Sequence, residues 1–404
     1  MSAAHADEIN VEGNDYYFAG NVKYNSEPLE GVLIKVSGGG YNAEVKTGDD
    51  GKWKIGVPSK DTYDVTLDES TLPKGVIVVE GEATREAEFG LTNSAAVNFF
   101  LGEGVRVTVS FWDQLVERLF NGLNFGLMLA LAAIGASLVF GTTGLSNFAH
   151  AEMVTFGAIM AFVFSVNLAW PLYLAIPVAV ILSAVLGLFL DAGLWRPLRK
   201  RGTGIVQLMI VSIGLSLALR YVFQYFIGGG TYQLPGSSSD SLTLFGSVKL
   251  TATDIVSMVV SVIVLLAVAW WLLRTRIGKA TRAISDNSSL ASASGIDVDR
   301  VVRIVWILGA ALAGLSGILW AYFRPGIKWD MGASILLLIF AAITLGGLGT
   351  AFGALVGSLI VGILVEVSTL WIPSDLKYVG ALVVLVLVLL VRPQGILGRR
   401  ERIG

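Results

Sequence analysis

Three charged residues stand inside, or at the edge of, long apolar runs of this sequence: the carboxylates Glu152 and Glu366 and the guanidinium of Arg220. A charge among that many apolar residues is costly unless it meets an opposite charge, a partner chain or a water-filled path, so such residues are functional candidates by default. Counted inward from the ends of their runs, Arg220 lies about seven residues from position 227 and Glu366 about five from position 371. At about 1.5 Å per residue the two depths agree within a helical turn, so Arg220 and Glu366 could form a buried ion pair. The alternative is two unrelated polar residues, each facing a subunit interface or reaching outward to water.

Asn147, His150 and Glu152 cluster where a helix would restart. Asn147 can serve as its N-cap, and Glu152 would fall in the first turn, where a negative charge stabilises by about 0.3–1 kcal/mol. That local role is sufficient in itself. His150 is not expected to bind metal, because the only other histidine is His5 and there is no cysteine. Asp49-Asp50 lacks the alternating oxygen ligands of a calcium loop and reads as a solvated turn. No G-x-x-x-x-G-K-[ST] occurs, so the chain is not expected to cradle ATP itself. No cofactor, metal or nucleic-acid partner is expected, and no catalytic residue.

The elements that must position these side chains are membrane helices. Against the roughly 20 apolar residues that a spanning helix needs, nine runs stand out: 119–141, 153–169, 172–194, 205–227, 253–273, 301–323, 332–346, 350–371 and 376–392. The breaks 196–201, 274–282 and 392–402 are rich in Lys and Arg, which places all three in the cytoplasm. Residues before the first helix and the 228–252 break then lie outside, and the C-terminus inside. The runs 153–169 and 332–346 are short and are flanked by Gly141-Thr-Thr-Gly144 and by Gly346, Gly347 and Gly349. Interrupted helices of that kind carry the solute sites of transporters, since freed backbone groups are tolerated only beside protein or a water-filled cavity.

Residues 1–110 are different material. They hold 18 Asp and Glu against 9 Lys and Arg, whereas residues 111–404 hold 13 against 20. Period-two stretches such as Trp53-Lys-Ile-Gly-Val57, bounded by turns at 38–40, 48–51 and 73–75, predict a small antiparallel β-sandwich. The fold class is thus a polytopic α-helical membrane protein with an N-terminal extracytoplasmic β-sandwich domain, divided at 110/111. Export of so acidic a domain calls for a signal. Ala4-His5-Ala6 resembles the tail of a signal-peptide cleavage site, which predicts a removed signal peptide; a native start with a small tail is the alternative.

The 274–303 break is the longest basic one. Asn287 or Ser288 can cap a short helix there, Ala291 and Ala293 give it a small-residue surface, and Gly295 can end it. Such a surface permits close docking into a groove on another protein; an ordinary solvated loop is the alternative. Trp112, Trp170, Trp195, Trp270, Trp271, Trp320, Trp329 and Trp371 fall near helix ends and read as interfacial anchors. Glycines within helices, among them Gly309, Gly314, Gly317, Gly353 and Gly357, predict close helix packing.

Gly144-Leu-Ser-Asn-Phe-Ala-His-Ala-Glu152 resembles the first cytoplasmic turn, close to G-x-x-N-x-A-H-G-E, of the permease subunits of branched-chain amino-acid ABC importers, with Ala151 where the family usually has Gly. Gly278-Lys-Ala-Thr-Arg-Ala283 with Asp286 and Ser294-Gly-Ile296 is similar to that family's cytoplasmic coupling segment. Gly346-Gly-Leu-Gly349, Gly353-Ala-Leu-Val-Gly357 and Arg392-Pro-Gln-Gly-Ile-Leu-Gly398 resemble its C-terminal signature. The resemblance implies a multi-pass permease of the bacterial plasma membrane that moves branched-chain or related amino acids inward. Its implied partners are a second permease subunit, two ATP-binding-cassette ATPase subunits, an extracytoplasmic solute-binding protein and the lipid bilayer. It implies Asn147, His150, Glu152, Gly346, Gly347 and Gly349 in the pathway or gate, and Arg282, Ala283, Asp286, Ala291 and Gly295 in the ATPase-coupling loop. Urea or a short-chain amide is the alternative solute, and an ion-coupled secondary transporter, for which only Glu152, Glu366 and Asp191 could supply coupling-ion ligands, the alternative mechanism. Pro28-Leu-Glu-Gly-Val32, 47–55 and Tyr63-Asp-Val-Thr-Leu67 resemble the carboxypeptidase-regulatory-like β-sandwich, which carries no firm functional implication.

Overall fold

The computed structural model of the chain describes residues 14–373, apart from 25–26, 74, 79–82, 91, 104–109, 238–240 and 246–247, and scattered positions from there to 398. Most of the run 376–392, the residues 104–109 before the 110/111 boundary and Ala4-His5-Ala6 lie outside the described residues. The chain divides into two compact units, 1–108 and 109–404.

The first unit is a β-sandwich of β1 (Tyr16–Tyr24), β2 (Glu27–Pro28), β3 (Leu33–Gly38), β4 (Tyr41–Lys46), β5 (Lys52–Val57), β6 (Tyr63–Leu67), β7 (Val76–Val78), β8 (Thr84–Ala87), β9 (Ser94–Ala96) and β10 (Phe99–Glu103). One sheet runs β2-β1-β10-β7 with β5 and β9 also on β1, and the other runs β4-β3-β6-β8. Alternating residues point into one shared core: Phe18, Val22, Trp53 and Ile55 from the first sheet, Ile34, Val36, Val65 and Leu67 from the second. The sheets are not wholly antiparallel. Both β9 and β10 pair with β1 in parallel, because the chain crosses back to its first strand rather than closing with a hairpin.

The second unit is α-helical: α1 (Phe111–Thr143), α2 (His150–Phe162), α3 (Leu172–Leu190), α4 (Arg196–Lys200), α5 (Ile205–Ile227), a hairpin of β11 (Ser241–Phe245) and β12 (Val248–Thr251), then α6 (Ala252–Arg274), α7 (Arg276–Asp286), α8 (Ser288–Ala293), α9 (Val298–Phe323), α10 (Met331–Gly346) and α11 (Ala351–Ser368). A π-helical turn, Val163–Asn167, extends α2, and a second, Asp191–Trp195, joins α3 to α4. Among the described residues seven helical stretches are long and apolar enough to cross a membrane, and α10 is a shorter apolar one. The chain is a polytopic helical membrane protein. α1 and α9 form the buried centre, while α3, α5 and α6 keep only one stripe each inside and expose Ile181, Leu217, Ile263 and similar residues. Such wide apolar faces suit lipid or another apolar chain.

Helix contacts at the centre are made by glycines, as expected from the sequence. A Cβ on Gly157 would collide with the backbone of Gly314, and one on Gly135 would meet Gly309 O at 2.7 Å. Two of the tryptophans read as anchors are instead interior: Trp195 stacks on Trp306 with centroids 5.6 Å apart, and Trp320 packs on Phe125. Their rings fill space between helices that the sequence alone does not bring together.

Two helices start inside the bundle. α1 ends on Gly144, whose φ of 68° turns the chain back, and His150 Nε2 hydrogen-bonds Ala132 O at 2.9 Å. Ala132 is eleven residues before the end of α1, so α2 begins about 16 Å back along it. The N–H of Gly332, in the first turn of α10, donates to Thr155 Oγ1 at 3.0 Å. The first turns of α2 and α10 thus meet in the interior, and each is approached by non-helical chain.

Candidate functional site

The start of α2 is packed along α5. Phe148 N donates to Ser212 Oγ at 3.1 Å, Ser216 Oγ donates to Glu152 Oε1 at 2.9 Å, and the rings of Phe156 and Phe223 lie 6.1 Å apart. Between these contacts Arg220 donates to the same Glu152 oxygen, from Nη2 at 3.1 Å and from Nε at 3.4 Å. Glu152 is fully buried and its Oε2 has no hydrogen-bond partner. The Arg220 side chain keeps 22% of its surface exposed.

This corrects the expected Arg220–Glu366 pair. Depth counting says how far a side chain lies along its helix, not which way it faces: α5 packs on α2, whereas α11 packs on α1. Glu366, itself buried, has Arg118 Nη1 of α1 at 3.9 Å. Glu152 was the overlooked partner, because a helix start reads as a membrane surface unless the chain is known to re-enter.

Asn147 does not cap α2. Its Oδ1 accepts from Ala149 N at 3.1 Å, closing a tight turn before the helix, and the N-cap position is Ala149. His150 is buried, with Nε2 on α1 as described. Asn147, His150 and Glu152 therefore share the buried start of α2, but of the three only Glu152 meets Arg220.

Gly346, Gly347 and Gly349 lie apart from that helix start, in the turn from α10 to α11. A Cβ on Gly349 would meet Gly141 Cα at 3.3 Å, nine residues along α1 from Ala132 and so about 13 Å from the level of His150's contact. The Gly347 φ of 113° and Gly349 φ of 77° suit that turn. Ser285 of α7 donates to Gly349 O at 3.3 Å, linking the turn to the segment that carries Arg282, Ala283 and Asp286.

That segment is helical. Asn287 Oδ1 accepts from Leu290 N at 2.9 Å and caps α8, and Gly295 adopts φ 83° just past it. Ala291 is not a docking surface: it is 5% exposed, packed with Ile284 and Val301. A helix of six residues has too little periodicity to reveal its inner face, and the exposed apolar residue is its neighbour, Leu290, at 65%.

Beside the Glu152–Arg220 pair, an apolar cleft of about 640 Å³ opens between the second half of α2 and the end of α5, lined by Phe156, Met160, Asn167, Phe223, Phe226 and Tyr232 among others. Asp191, the third carboxylate that could serve an ion-coupled transporter, is buried in the second π-turn and accepts from Arg199 Nη2 at 2.7 Å.

Residues 118–391 match the family model described as branched-chain amino acid transport system / permease component. The high-affinity branched-chain amino acid transport system permease protein LivH of Salmonella typhimurium is 31% identical over 302 residues, covering 71% of this chain and 96% of that protein. A probable branched-chain amino acid transport permease protein LivH of Methanocaldococcus jannaschii is 32% identical, covering 67% and 89%. The ribose import permease protein RbsC of Haemophilus influenzae is 27% identical, covering 68% and 84%.

Proposed function

Because this chain belongs to the family of branched-chain amino acid transport system permease components, we propose that it is the membrane-spanning subunit of an ATP-driven importer of branched-chain amino acids. The match across 118–391 carries the reading, since it takes in both interior helix starts and the α7–α8 segment. A second permease subunit completes the pathway, an external binding protein delivers the solute and two ATPase subunits supply the energy. The Lys- and Arg-rich breaks support a cytoplasmic α7–α8, where an ATPase would meet it, and an external N-terminal β-domain. The buried start of α2, with Asn147, His150 and Glu152, and the Arg220 that meets Glu152 line the pathway in this reading, and the Gly346–Gly349 turn, hydrogen-bonded to Ser285, transmits movement from the coupling segment.

The test is uptake by the purified complex in proteoliposomes supplied with the binding protein. Leucine accumulation that requires ATP inside the ATPase compartment is expected. Accumulation driven by a proton gradient without ATP would overturn the reading in favour of an ion-coupled transporter.

A further inference from the structure

Four observations meet at the seam between α2 and α5. Both Arg220 donors on Glu152 converge on one carboxylate oxygen, although an arginine and a carboxylate can engage through two parallel bonds. Arg220 Nη1 is consequently without a hydrogen-bond partner among the described residues, and Glu152 Oε2 is buried without one. A half-open cation within α5 and an unpaired carboxylate oxygen in the buried first turn of α2 are both expensive to keep. Finally, the apolar cleft ends at the Phe156–Phe223 ring pair, only one helical turn along α2 from Glu152 and less than one along α5 from Arg220.

Resting on the permease reading, we propose that this seam is a transit site for an amino-acid zwitterion with an apolar side chain. Its carboxylate takes the open edge of Arg220, its ammonium is drawn to Glu152 Oε2 as the seam opens, and its side chain lies in the cleft against Phe156, Met160 and Phe223. A neutral sugar would satisfy neither charge, and a free carboxylic acid only one. The cleft, roomy and weakly polar, suits brief occupancy better than tight capture, as a pathway requires.

The experiment uses the whole complex in proteoliposomes, with the binding protein saturated by leucine or by alanine. In the double variant Arg220→Met with Glu152→Gln no buried charge is left unpaired, so assembly is expected to survive. Leucine uptake should nevertheless fall by about tenfold or more, the worth of a hydrogen bond to a charged group, while ATPase stimulation by the loaded binding protein persists. Wild-type uptake in that double variant would overturn the proposal and leave the pair a structural one. Met160→Trp leaves both charges in place and fills the cleft; it should lower leucine uptake about tenfold more than alanine uptake. An unchanged leucine-to-alanine ratio overturns the proposal even if the double variant does not assemble. Lack of ATP-dependent uptake by the wild-type complex would instead refute the permease reading, a separate outcome.

Discussion

Gly157 of α2 and Gly314 of α9 meet backbone to backbone: a Cβ on either would strike the other helix or, for Gly314, Ser183 of α3. Three helices therefore converge where only hydrogen atoms fit. The contact holds α2 in place beside α9 even though α2 starts in the interior. Gly157→Val should destabilise the protein by about 1–3 kcal/mol through overpacking, read as a lower thermal midpoint of the purified chain. A midpoint equal to wild type would show that the helices separate there without cost.

The N-terminal unit offers a pH-dependent test. Lys35 Nζ lies 2.7 Å from Asp68 Oδ2, and with the hydroxyl and N–H of Ser70 it holds the Asp68 carboxyl down at about 2. A depressed carboxyl stabilises the fold above its ordinary value near 3.8 and loses that contribution as pH falls toward 2. Asp68→Asn, followed by unfolding of the β-domain in the full-length protein, should be less stable than wild type near neutral pH, by a small margin suited to a solvent-exposed pair. The two should converge as pH drops through that window. A gap that stays constant down to the acid end would mean that the ion pair contributes nothing.

Helix positions were legible because length and apolarity decide them: the runs 205–227 and 253–273 match α5 and α6 to within a residue at each end. The shortness of 153–169 and 332–346 pointed to interrupted helices, and both correspond to helices that start inside the bundle. Facing was not legible. Arg220 could be assigned a depth but not a neighbour, and Ala291 a helix but not a side of it, because both depend on which helices pack together. The parallel return of β10 to β1 is likewise a tertiary choice, invisible in period-two alternation.

Topology can be read directly in this sequence, which has no cysteine. Gln233, in the 228–252 break, and Ser289, on α8, are both exposed. Gln233→Cys should react with an impermeant thiol reagent added to intact cells, and Ser289→Cys only after the membrane is opened. An equal reaction of both from outside would invalidate the assignment of the basic breaks to the cytoplasm.

Leu290 and Ala291, adjacent on α8, make opposite predictions. In the proposed importer an ATPase would meet the outer face of α8, where Leu290 is 65% exposed, whereas Ala291 packs inward on Ile284 and Val301. Leu290→Asp should leave the thermal midpoint of the isolated chain unchanged, since the side chain touches little. In the reconstituted complex it should cut ATP-dependent uptake by about tenfold or more, about 1.4 kcal/mol of lost docking. Ala291→Leu should act the other way round, lowering the midpoint by overpacking the inner face before any partner is present. Arg282→Ala, on the neighbouring α7, should follow the Leu290 pattern if the two helices dock as one surface. Should Leu290→Asp support normal uptake while Ala291→Leu abolishes it without loss of stability, the inner and outer faces of α8 have been assigned in the wrong sense, and the ATPase must reach the chain by another route.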